Sequence, residues 1–163
     1  MAFGAHEAAH LALGVAFDAD PALDRVEFHG IPFFAITHRP DLSSRRELAI
    51  SSAGFTAQHV GTEWILTRRP GLREDRAPLL KGMLAFNITA SATYAGAAFA
   101  RTGPYERDTR GIATAARIDE RWVGAMVLAP AALDAWRYFH PDATWAAWIS
   151  RGVKAAMVLL LLR

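Results

Sequence analysis

His6, Glu7 and His10, in the run His6-Glu7-Ala8-Ala9-His10, are the residues of this chain whose types and spacing speak most directly of chemistry. On a helix, two histidines four apart lie on one face, so both imidazoles can direct a nitrogen to one ion, at ~2.0–2.1 Å for zinc. Glu7 follows the first histidine, where its carboxylate can take a proton from ion-activated water and return it to a leaving amine. The pattern is that of metal-assisted hydrolysis, with Zn2+ the expected ion, Glu7 the expected general base and a peptide or protein the expected substrate.

A catalytic zinc takes three protein ligands and leaves one position for water, so His6 and His10 require a third partner. An extension with glycine at 13 and histidine at 16 is absent, since Leu13 and Ala16 stand there. The candidates are Asp108, Glu63, His59 and, on a short strand, Glu27. His59 and Glu63, four apart, read equally well as a contact along one helix. Tyr105 and Arg107 flank Asp108 closely enough to serve a developing oxyanion, although Glu106, Arg107 and Arg110 also read as a solvated charge cluster. His29 and His38 are expected to face solvent, and Asn87, the only asparagine, to bridge two helices.

The elements that must position these groups are mostly helical. Ala2 to Phe17 is rich in Ala, Leu and His, lacks proline, and is stopped by Asp18-Ala19-Asp20-Pro21. A hairpin follows, with Val26 to Phe28 and Ile31 to Thr37 flanking a turn at His29-Gly30; Pro32 makes the second arm an edge strand, to which an extended peptide could add. Ser43-Ser44 caps a helix from Arg45 to Leu66, and a charged loop runs from Arg68 to Lys81. Further helices are predicted over Gly82–Ala100, Asp108–Arg117, Trp122–Phe139 with Pro130 inside it, and Trp145–Leu162. The fold class is therefore mostly α, an α+β chain of five or six helices with one small hairpin between the first and second helices, in one domain spanning residues 1–163.

Composition sets outer limits on function. At 163 residues the chain can bury a core without staples, and the absence of cysteine excludes disulfides and thiolate ligands. The charge is only +2, with 16 Arg against two Lys, and no basic helix face or stacking motif points to nucleic acid. Mean hydropathy is +0.11 with 52% hydrophobic residues, so the core is large or part of the surface meets lipid. Gly82 to Ala100 carries no charge, but Asn87, Thr89, Ser91 and Thr93 dilute it as a spanning helix. Met1 to Phe17 lacks the basic start of a secretory signal.

His6-Glu7-Ala8-Ala9-His10-Leu11-Ala12, a hairpin, and then Glu47 to Gln58 with Ala53-Gly54 and Ala57 at its centre, together resemble the peptidase domain of the bacterial membrane-tethered AAA metalloproteases. There an HEAGH helix precedes a sheet segment and an AGxxAE helix. Arg107-Asp108-Thr109-Arg110-Gly111 through Arg117 is similar to that family's segment in which an Asp ligand precedes a helix with an Ala-Thr pair. The resemblance implies His6, His10 and Asp108 as metal ligands, Glu7 as general base, and a place in the bacterial cytoplasm or at the cytoplasmic membrane. Gln58 and Ala9 depart from the pattern, and 163 residues hold no ATPase module. The order of elements also resembles site-2-type intramembrane metalloproteases, which place HExxH and a distant Asp on hydrophobic helices. The rival reading is a non-enzymatic helical module, membrane-associated or partner-binding, in which the HExxH run is fortuitous or holds a structural ion.

Overall fold

The structure, a computed structural model, describes residues 2–28 and 31–161. Six helices and two strands follow in the order α1 (Ala2–Ala16), β1 (Ala22–Phe28), β2 (Ile31–Thr37), α2 (Ser44–Arg68), α3 (Pro78–Ala100), α4 (Asp108–Ala116), α5 (Glu120–Phe139) and α6 (Thr144–Leu161). The mostly helical class with one small hairpin holds. The expected turn at His29-Gly30 and the expected helix end at Leu162 lie outside the described residues.

Local signals account for most boundaries. Ser43 is extended, and its hydroxyl accepts from the Arg46 N–H, capping α2. Asp119 caps α5 in the same way through the Arg121 N–H. α3 starts at Pro78, before the predicted Gly82, because proline suits the first helical turn, where no N–H is needed. Lys81, assigned to the loop, instead sits in α3 and bonds the Arg73 carbonyl at 2.7 Å. β1 and β2 pair antiparallel from Ala22 opposite Thr37 to Phe28 opposite Ile31, making β1 longer than predicted.

The long α2 is the organising element, packing against α1, α3, α4, α5 and α6. Two apolar clusters flank it. Phe55 of α2 joins Ile112 and Ala113 of α4 and Val123 and Val127 of α5, with Leu48 and Tyr94 against them. Ile65 and Leu66 join Leu72 and Leu84 towards the far end. α3 and α5 approach closely through small residues: a Cβ on Gly124 would stand 3.0 Å from Ala98 Cβ and 3.2 Å from the Ala95 carbonyl. Asn87 donates to the Gln58 carbonyl and to Thr62 Oγ1, bridging α3 and α2 as expected. Among the described residues, no helix is long and apolar enough to cross a membrane.

Candidate metal centre

His6 and His10 fall on the buried side of α1, together with Ala2 and Gly14, and that side packs on α2. Asp108, the first residue of α4, is brought to the same place because α4 also packs on α2. His6 Nε2 lies 3.0 Å from Asp108 Oδ2, His10 Nε2 lies 3.4 Å from the same oxygen, and the two Nε2 atoms are 3.2 Å apart. Four ligands held tetrahedrally at ~2.0–2.1 Å stand about 3.3 Å from one another, a value these separations bracket. Among the described residues this is the group of three imidazole or carboxylate donors close enough to share an ion.

The surroundings also suit an ion. His10 Nδ1–H donates to the Ile50 carbonyl at 2.8 Å, which leaves Nε2 of the neutral ring as a lone pair aimed at the cluster, the usual outer support of a ligating histidine. The His6 ring is clamped by Tyr94 stacked at 5.8 Å and by the edge of Phe55 at 5.8 Å, while its Nδ1 is buried without a partner. Burial would lower the His10 pKa, but the hydrogen bond and charge of Asp108, then Glu7, raise it above 6.5. Burial likewise pushes Asp108 up, and its bonds to His10 and His6 overcome this and hold it at about 2. Nitrogen lone pairs beside an ionised carboxylate form a donor set for a divalent cation.

Two glycines and one glutamate make this convergence geometrically feasible. Gly54 of α2 lies beneath the His6 ring. A Cβ on Gly111 would stand 2.2 Å from Ser51 Oγ, so α4 reaches α2 closely only because residue 111 has no side chain. Glu120, at the start of α5, accepts two bonds from Arg107 at 2.7 Å and one from Thr109 Oγ1 at 2.7 Å, gripping the residues on either side of Asp108. Neither Gly54 as a support for His6 nor Glu120 as an anchor for Asp108 is read from the sequence. An isolated glycine inside a good helix was the available signal for the first; an ordinary first-turn acid gave none for the second.

Glu7 is half-buried and accepts the Ile36 N–H of β2 at 3.3 Å. It lines a cavity of about 240 Å³ with His10, Val26, Ile36, Tyr94 and Asp108. A second cavity, of about 380 Å³, is lined by His38, Glu47 and Arg110 and shares His10, Ile36 and Asp108 with the first. The Tyr94 hydroxyl is pushed up by burial and by the carboxylates of Asp108 and Glu7, so it stays a donor. Sequence reasoning did not single out Tyr94, an aromatic within a long uncharged run.

Other candidates go elsewhere. Glu63 accepts from Arg137, Arg151 and Lys154 between α2, α5 and α6. His59 is buried beside that network, with Lys154 the charge acting on it, and Glu27 is exposed on β1; none of the three joins the His6 group. Arg107 does not present its guanidinium for an oxyanion, since Glu120 holds it, and Tyr105 is exposed beneath the Arg110 guanidinium at 3.8 Å. His38 is part-exposed, 3.5 Å from Glu47, and His29 lies outside the described residues. Comparison with family models, with curated proteins and with solved structures finds no match to this chain.

Proposed function

We propose that the protein is a zinc-dependent hydrolase, a metallopeptidase in which His6, His10 and Asp108 hold the ion and Glu7 acts as general base. The observation that carries this is the meeting of Asp108 Oδ2 with both Nε2 atoms within 3.4 Å, across 102 residues of sequence, beside a cavity that Glu7 also lines. Two imidazoles and one carboxylate are a common catalytic zinc set. When bound, the ion supplies a lowered pKa for water and polarisation of the scissile carbonyl. Glu7, oriented by the Ile36 amide, accepts the proton and delivers it to the departing amine. Tyr94, kept protonated, offers an O–H to the oxygen on which charge develops. The edge of β2 that carries the Ile36 N–H borders both cavities, so an extended peptide can lie along it. Peptide over another carbonyl substrate, and a bacterial cytoplasmic or membrane-surface location, rest on the resemblance of the HExxH and Asp108 segments.

Metal analysis of the purified chain tests the centre. One equivalent of zinc is expected, lost in His6→Ala and in Asp108→Ala, together with hydrolysis of an unstructured protein substrate. Metal content that does not change on replacing His6 would sink the proposal.

A further inference from the structure

α6 is built inside-out. Among its described side chains the buried ones are Ala146, Ser150 and Lys154, one turn apart on a single face. Ser150 Oγ donates to Asp134 at 2.7 Å, and Lys154 Nζ reaches Asp134 at 2.7 Å and Glu63 at 3.0 Å. The opposite face carries Trp145, Trp148, Ile149 and Leu159, each at least half exposed, with Trp148 at 71%. A helix covering a water-soluble core turns its apolar stripe inward; this one sets Ser150 and Lys154 beside Ala146 against the protein and offers its large apolar side chains outward. The stripe does not stop at α6. The Trp136 ring of α5 stands 6.2 Å from Trp145, and across a groove from Ala155 and Val158 lie the exposed Val60 and Trp64 of α2.

The charges beside this surface bear on what could cover it. α6 contains no acidic residue; its charged groups are Arg151 and Lys154, and Arg68 joins them at the rim of the groove. The nearby Glu63 is engaged by Arg137, Arg151 and Lys154. A second copy packed antiparallel on α6 would bring Arg151, near the middle of the helix, towards its own twin, with no acid on either α6 and each Glu63 already shared among three cations. A stripe of tryptophans and aliphatics beside a groove in which Arg68, Arg151 and Lys154 outnumber Glu63 fits instead the boundary between acyl chains and anionic headgroups, where indole rings settle and basic residues gain from the surface potential.

We infer that the exposed face of α6, continued by Trp136, Val60 and Trp64, docks the protein on an anionic lipid surface, with α6 lying in the plane of the interface. The inference does not depend on the metal centre, because among the described residues α6 packs against α5 and α2 and not against α1, α4 or the hairpin.

Sedimentation of the full chain with phosphatidylcholine vesicles, with and without phosphatidylglycerol, tests it. Binding is expected to be strong only when phosphatidylglycerol is present and to weaken with salt. Trp148→Asp with Leu159→Asp is expected to lower binding roughly tenfold or more while zinc content and helical circular dichroism stay unchanged. Quenching of the wild-type tryptophans by brominated lipid gives a reading that needs no variant. Vesicles that bind neither the wild type nor quench its fluorescence would overturn the inference, as would undiminished binding by a folded double variant. A wild-type dimer that the double variant converts to monomer, with no vesicle binding, would assign the face to a second copy.

Discussion

The His6 imidazole lies where a side chain on residue 54 would be: a Cβ on Gly54 would stand 2.3 Å from His6 Cε1 and Nε2. Alanine is the better helix former by about 1 kcal/mol, so Gly54→Ala favours α2 locally while displacing the ring from its partners. The variant is expected to fold, with normal circular dichroism, and to bind zinc about 10–100-fold more weakly in a chelator competition. Wild-type affinity in this variant would mean that His6 does not ligate from this position.

Glu7→Gln keeps the shape and the approach to the Ile36 N–H but cannot carry a proton. Zinc content is expected to be unchanged and kcat to fall by about 10²–10⁴, measured on a fluorogenic peptide. Tyr94→Phe, which keeps the stacking on His6, is expected to lower kcat more than it raises KM.

Metal affinity is expected to rise with pH. His10 binds its proton more tightly than an ordinary histidine, so protons compete with the ion through and above pH 6.5. For the metal-free chain the sign is reversed. The raised His10 pKa contributes stability that is present below 6.5 and lost as pH rises through the folded value. The depressed Asp108 pKa contributes about 2 kcal/mol above pH 3.8, lost as pH falls towards 2. Thermal melts with zinc and with a chelator should therefore diverge most above neutrality.

Asp134 is fully buried and accepts from Arg137, Ser150 and Lys154. Asp134→Ala leaves Arg137 and Lys154 with Glu63 alone to share and Ser150 without its acceptor, and is expected to destabilise by about 3–5 kcal/mol in urea. Asp134→Leu with Lys154→Met, which removes one charge of each sign, is expected to lose much less than the sum of the single variants. An additive result would show that the two groups are not coupled.

Burial, and then the Lys154 charge, hold the His59 pKa down at about 4. The unfolded chain thus takes up this proton first, and stability is expected to fall by up to about 3 kcal/mol as pH drops from 6.5 to 4. His59→Phe should flatten that part of the acid limb in denaturant titrations.

What local sequence determined is what local physics controls. Four-residue spacing puts His6 and His10 on one helical face whatever surrounds them, and caps such as Ser43 set helix ends within a turn. Glu7 was legible as a candidate base from its place next to His6 in the chain. Among Asp108, Glu63, His59 and Glu27, however, no spacing rule chooses, because each lies on a different element or far along the chain from His6. Tertiary packing decides it: Gly111 lets α4 close on α2, Glu120 fixes the residues around Asp108, and three cations take Glu63 away. The same holds for α6, whose two faces are readable as a pattern but whose direction depends on Asp134. A buried carboxylate requires Ser150 and Lys154 beside it, and meeting that need turns the tryptophans outward.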